Sequence, residues 1–271
     1  AEESKCPLIR PLRILLAEDS LTNQKLALAI LQKGNHEITV VDNGKKAVDR
    51  FLHCNFDLIL MDVQMPELDG LTATREIRRL EAMNHSRQDV ERIPIVAMTA
   101  HALKGDREKC LEAGMDDYIP KPVRQRELFS VLAQLFGETD QVEAASERGV
   151  KMKATLDWNE ALDAVGGEVE ILQDVVEAAL EEAPEMLDLL QSSLESDLPT
   201  SKRAAHTLKS TMATFGAGTL MEQSLEIEIH AKNGETDKIK KMLPSYVEGV
   251  RDFIMQLQTW QDQMSSAPTE K

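Results

Sequence analysis

What most limits the fold of this chain is a change in apolar period near residue 137. Before it, short apolar runs alternate with amphipathic stretches; after it, only helical stripes remain. The runs are Leu12–Ala17, Ile38–Val41, Leu58–Met61, Ile93–Met98 and, more weakly, Tyr118–Ile119. Several are continuous instead of alternating, as in strands buried on both faces of a parallel sheet. Helical patterns lie between them, clearest in Leu128, Val131, Leu132, Leu135 and Phe136 at i, i+3, i+4, i+7 and i+8. Five strands alternating with five helices predict an open α/β sandwich over residues 12–137, after an extension at 1–11.

The second half reads differently. Residues 138–155 are polar and charged, and we read them as a linker. Beyond them Leu172, Val175, Val176, Ala179, Ala183, Leu187, Leu190 and Leu194 make one long helical stripe. Ile239, Leu243, Tyr246, Val250, Phe253, Leu257 and Trp260 make another, with helical segments at 199–214 and 217–232 between. Gly166-Gly167, Gly216 and Asn233-Gly234 mark turns. The expectation is an all-α domain over 156–265: an antiparallel four-helix bundle with a short leading helix at 157–165, then a tail at 266–271. Pro184 and Pro244 should kink or break two of these helices.

Charge and cysteines narrow the function. The net charge of -16 disfavours nucleic acid, whose phosphates demand the opposite sign. Residues 1–140 hold 19 Lys+Arg against 23 Asp+Glu, whereas 141–271 hold 12 against 24, a step that suits two separate surfaces. No apolar run approaches the roughly 18 residues of a membrane span. Cys6, Cys54 and Cys110 are far apart and form no C-x-x-C, which points to a reducing, cytoplasmic setting.

In an open parallel sheet, ligands sit beyond the carboxyl ends of the strands, where strand order reverses. After the first run come Glu18 and Asp19; after the third, Asp62; after the fourth, Thr99; after the fifth, Lys121. With strand order 2-1-3-4-5, the first and third runs are neighbours and the three carboxylates crowd one pocket. Their mutual repulsion is relieved by a divalent metal such as Mg²⁺, which takes oxygen ligands. With a hydroxyl and an ammonium beside it, such a pocket suits an incoming phosphoryl group attacked in line by a carboxylate. Taken singly, each residue has a plainer reading: Asp19 or Ser20 as a helix cap, Asp62 as a turn, Thr99 as a cap, Lys121 as a surface lysine. Five such coincidences at one sheet edge favour the joint reading.

The segments RILLAEDS, DLILMDVQMPELDG, PIVAMTA and DDYIPKP resemble the receiver domain of two-component response regulators. The resemblance implies a flavodoxin-like sheet, an acidic pair Glu18 and Asp19 on Mg²⁺, and Asp62 as phosphoacceptor. It further implies the Gln64 carbonyl as a third metal contact, Thr99 and Lys121 gripping the phosphoryl group, and Tyr118 as an aromatic switch. It also implies a cis Lys121–Pro122 bond, and it sets Gln64 and His101 where phosphate lifetime is tuned.

In the second half His206 stands out among six histidines. Ala204, Leu208, Met212 and Phe215 form the apolar stripe of its segment, and His206 lies about 200° from Ala204, pointing outward. Lys202, Lys209, Ser210 and Ala213 share its face, and residues 198–221 contain no acid. An exposed imidazole among lysines and small side chains suits a phosphate and a docking partner; the plainer reading is an ordinary surface histidine. LDWNEALDAVGGEVEILQDVVEAALEEAPEML followed by AAHTLKSTMATFGA resembles the histidine-containing phosphotransfer (HPt) domain. That resemblance implies His206 as the phosphorylated residue and Lys209 as its supporting cation, with Ser210 departing from the glycine of many members. His230, among the acids of LEIEIHAKNG, reads as a surface residue.

The order of the two resembles the C-terminal part of a hybrid sensor histidine kinase, although no glycine-rich nucleotide boxes occur in this chain. It implies phosphorelay signalling, with a histidine kinase core upstream, a response regulator receiver downstream, and exchange between Asp62 and His206 within the molecule. Two other classes are weighed. An aspartyl-phosphate phosphohydrolase with Asp19 as nucleophile would carry D-x-D where this chain has Glu18-Asp19-Ser20. A degenerate interaction module would have lost one of the acids, Thr99 or Lys121.

Overall fold

Short runs of β-branched and aliphatic residues pair side by side to make a five-stranded parallel sheet of order β2-β1-β3-β4-β5. The strands are β1 (Arg13–Ala17), β2 (Glu37–Val41), β3 (Leu58–Asp62), β4 (Ile95–Thr99) and β5 (Asp117–Pro120). This computed structural model describes residues 9–84, 92–99, 104–137 and 156–266. The linker read at 138–155, the ends of the chain, and His101 lie outside the described residues. The chain divides into two units, Ala1–Ser146 and Glu147–Lys271, and each is described by itself.

In the first unit, helices α1 (Leu21–Gln32), α2 (Gly44–His53), α3 (Gly70–Asn84), α4 (Lys104–Ala113) and α5 (Gln125–Phe136) alternate with the strands. Every residue of β3 and β4 is buried, so continuous apolar runs were required there. Leu15, Ala17, Ile59, Met61, Ile95 and Ala97 pack in one cluster with Ala47, Ala73, Ile77 and Cys110 from the helices. Each fully buried aliphatic side chain contributes about 1.5–3 kcal/mol, which locks the register that sets the strand ends level. Ser20 caps α1 by accepting from the Asn23 N–H, which leaves Asp19 to other work.

The second unit begins with α6 (Trp158–Ala164), whose Asp157 cap accepts from the Asn159 and Glu160 amides. Four helices follow: α7 (Val169–Ser193), α8 (Leu198–Thr214), α9 (Gly218–Lys232) and α10 (Thr236–Ser266). They close a ring in which α8 packs on α7 and α9, and α10 packs on the same two. Trp158 stacks on Trp260 at 5.0 Å and meets Phe215 edge-on, tying α6 to the ends of α8 and α10. Gly216, at φ 65°, turns the chain after α8 where a Cβ would lie 2.9 Å from the Asp157 Cβ.

The expected breaks at Pro184 and Pro244 do not occur: α7 and α10 run through both prolines. A proline removes one intrahelical bond, but Ala183 and Leu187 on one helix and Ile239 and Tyr246 on the other are buried on either side. Their packing keeps each helix continuous. No helix among the described residues is long and apolar enough to cross a membrane.

Candidate phosphoryl-transfer sites

At the carboxyl edge of the sheet, β1 ends one residue before Glu18, β3 ends in Asp62, β4 ends in Thr99, and β5 ends one residue before Lys121. Because β1 lies between β2 and β3, this is where the strand order reverses and a crevice opens. Lys121 is no surface lysine. Its Nζ sits 2.6 Å from Glu18 Oε2 and 2.7 Å from Asp62 Oδ2, with its side chain 2% exposed. Glu18 is oriented from its other side by the Asn23 Nδ2 and Ser20 amide donors, at 3.0 and 3.2 Å. Asp62 Oδ1 accepts the Gln64 N–H at 3.1 Å. One carboxylate oxygen from each of Glu18, Asp19 and Asp62 lies within 4.8 Å of the others.

Burial pushes the Asp62 carboxyl well above its ordinary range; the Lys121 ammonium opposes that shift and Glu18 adds to it. Burial alone would lower Lys121, yet the Asp62 and Glu18 charges raise it, so it stays an ammonium. Thr99 is buried at the end of β4, and its carbonyl accepts the Lys121 N–H at 2.8 Å. The Lys121–Pro122 bond is cis. Tyr118 lies half-buried on β5, with the Arg107 guanidinium carbon 5.7 Å from its ring centroid. The chain leaves the pocket over Gly70, where a Cβ would fall 1.9 Å from the Asp62 carbonyl oxygen. Only glycine permits that approach.

The second site lies between α8 and α9. His206 Nδ1 is 3.3 Å from both carboxylate oxygens of Glu228, and Lys209 Nζ is 2.6 Å from Glu228 Oε2. The outward, exposed imidazole expected from the sequence is corrected here: His206 is 7% exposed. Neighbours flank α8 on both sides, so the face turned from its apolar stripe meets α9 instead of solvent. Lys209 and Ser210 are buried with it, while Lys202 is partly exposed. Burial would raise Glu228, but His206 and Lys209 hold it down at about 2.

Two residues of these sites were not singled out from the linear pattern. Asn23 reaches back five positions to Glu18 across the β1–α1 turn, and no spacing marks it. Glu228 did leave a signal: it lies on the buried stripe of Ser224, Ile227, Glu228 and Ala231. An acid on such a stripe calls for a buried cation.

Residues 14–133 match the family model of the response regulator receiver domain, and residues 174–265 match that of the Hpt domain. The first unit thus carries a receiver domain and the second an Hpt domain. It is 35% identical over 191 residues to the signal transduction histidine-protein kinase BarA of Shigella flexneri, covering 69% of this chain and 20% of that protein. It is 34% identical over 198 residues to the sensor histidine kinase GacS of Pseudomonas protegens, covering 71% and 20%. The chain therefore spans about a fifth of these kinases. A solved structure of the receiver domain of sensor histidine kinase PA1611 from Pseudomonas aeruginosa PAO1, with magnesium coordinated in its active site cleft, is 42% identical. It covers 47% of this chain and 99% of that one, with a TM-score of 0.41. This is a receiver followed by an Hpt domain, a tandem of phosphorelay signalling related to hybrid histidine kinases.

Proposed function

We propose that the receiver takes a phosphoryl group on Asp62 and that the Hpt domain carries it on His206, between a histidine kinase and a downstream response regulator. The observation that carries the reading is the Lys121 ammonium held between Asp62 Oδ2 and Glu18 Oε2 beside a three-carboxylate cluster. Three carboxylates against one ammonium leave about two negative charges, which a divalent cation balances. The donors are hard oxygens, so Mg²⁺ fits, held by Glu18, Asp19, Asp62 and the carbonyl of Gln64. Bound there, it supplies charge neutralisation at the equatorial phosphoryl oxygens.

An ionised Asp62 oxygen attacks the phosphorus of a donor phosphohistidine in line; the N–P bond breaks and the imidazole leaves with the electron pair. Lys121 and the Thr99 hydroxyl grip the transferred group, and Tyr118 follows Thr99 as a switch. In the Hpt domain, Glu228 at Nδ1 favours the tautomer with the proton there, leaving the Nε2 lone pair to attack phosphorus. The acyl O–P bond then breaks, and Asp62 leaves as a carboxylate. Lys209 shares the Glu228 carboxylate. A cytoplasmic setting belongs to the same reading, since Cys6, Cys54 and Cys110 are odd in number and far apart in sequence.

Exchange between the two sites in one molecule belongs to this reading. The decisive experiment is uptake of label from acetyl phosphate with and without Mg²⁺. Acyl phosphate lost in Asp62→Asn and in the absence of divalent ion supports the assignment; label persisting at wild-type level in either case overturns it.

A further inference from the structure

We propose that His230 is a second phosphoryl-accepting imidazole of the Hpt domain, open to small N–P and acyl phosphate donors. At the turn between α9 and α10, His230 Nδ1 lies 2.7 Å from Glu235 Oε2. The other oxygen, Glu235 Oε1, accepts from Lys238 Nζ at 2.8 Å. These are the same three side-chain types joined through the same ring nitrogen as in His206, Glu228 and Lys209, where the ring-to-carboxylate distance is 3.3 Å.

The arrangement is built from different backbone. His230 closes the last turn of α9, Glu235 sits in the turn, and Lys238 belongs to the first turn of α10. Gly234, at φ 74°, lets the chain reverse. The Glu235 N–H then donates to the His230 carbonyl at 2.9 Å, and the Lys238 N–H donates to the Glu235 carbonyl at 3.0 Å. The carboxylate is thus held against the ring by the main chain as well as by its own hydrogen bonds.

A carboxylate at Nδ1 favours the tautomer with the proton there, which leaves the Nε2 lone pair to attack. The His230 side chain is 21% exposed against 8% for His206, so a small donor reaches it without a docking partner. The local charge is balanced where the rest of this half is acidic. Residues 226–241 hold four lysines against four acids, inside a half with 12 basic and 24 acidic residues. Lys240 is taken by Glu195 at 2.7 Å and Lys238 by Glu235 at 2.8 Å, which leaves Lys232 and Lys241 on this segment. With phosphoramidate as donor, Nε2 attacks phosphorus, the donor N–P bond breaks, and ammonia leaves after taking a proton from solvent. The ring keeps its Nδ1–H, and Glu235 faces the positive charge that develops there.

The test uses the full chain carrying Asp62→Asn, treated with phosphoramidate, and reads alkali-stable phosphate by mass spectrometry. Adding His206→Gln should leave label that maps to His230, and adding His230→Gln should then remove it by more than tenfold. Glu235→Gln should lower the His230 label several-fold, while His230→Gln alone should leave labelling of His206 intact. That last control separates this site from the proposed role of His206. The proposal is overturned if His206→Gln abolishes all alkali-stable label, or if the residual label maps elsewhere or survives His230→Gln.

Discussion

Glu228 faces His206 Nδ1 with both of its carboxylate oxygens at 3.3 Å, across 22 residues of sequence. A carboxylate there favours the tautomer and the charge that Nε2 attack creates, and a neutral amide does this less well. Glu228→Gln should therefore slow phosphoryl uptake at His206 about tenfold, equivalent to about 1.4 kcal/mol, with the fold retained. Stopped-flow transfer from a phosphorylated receiver measures it; an unchanged rate would remove Glu228 from the reaction.

The same residue sets an acid limit on the Hpt domain. Its carboxyl is held at about 2 against an ordinary 4.5. The unfolded chain therefore binds more protons between those values. Its contribution, on the order of 3 kcal/mol, is present above about pH 4.5 and is lost as pH falls towards 2. Both tryptophans, Trp158 and Trp260, lie in this domain. Urea unfolding of the whole chain followed by tryptophan fluorescence should weaken steeply from pH 5 to pH 3. Glu228→Gln should flatten that slope.

Lys121 is enclosed by the two carboxylates it pairs with. Lys121→Met would leave them buried and uncompensated, costing about 3–5 kcal/mol near neutral pH. The loss should shrink as pH falls and the pair takes up a proton. Receiver unfolding followed by circular dichroism at pH 7 and pH 5 tests this; equal losses at both would contradict the arrangement.

Asp19 is the partly exposed member of the acidic cluster, and Ser20 already caps α1. Asp19→Asn should lower Mg²⁺ affinity at least tenfold while changing stability by less than about 0.5 kcal/mol. Calorimetric titration with Mg²⁺ decides it, and wild-type affinity would place the ion elsewhere.

Away from the chemistry, Arg78 on α3 ties the opposite edge of the sheet. Its guanidinium donates to Glu81 and Asp116 carboxylates, each at 2.7 Å, and to the carbonyls of Gly114 and Ile93. Arg78→Met should destabilise the receiver by about 3–5 kcal/mol, since both acids lose a buried partner. Acyl phosphate formation at Asp62 in the folded fraction should be unchanged; a selective loss of labelling would show coupling between the two edges.

The chain's own residues determined its elements and the composition of the first site. Continuous runs such as Leu58–Met61 mark buried strands, and i, i+3, i+4 stripes mark helices. Both signals are local, because they come from backbone geometry and from which side chains must leave water. Since run ends lie at one sheet edge, Glu18, Asp19, Asp62, Thr99 and Lys121 could be grouped from their positions alone. Tertiary structure decided the rest. It enclosed Lys121 between Glu18 and Asp62, gave the α1 cap to Ser20, and carried α7 and α10 through Pro184 and Pro244. It also covered His206 with α9 and brought Glu228 to its Nδ1. Periodicity says which face of a helix differs from the other, but burial depends on what a distant segment lays against that face. Only packing settles that.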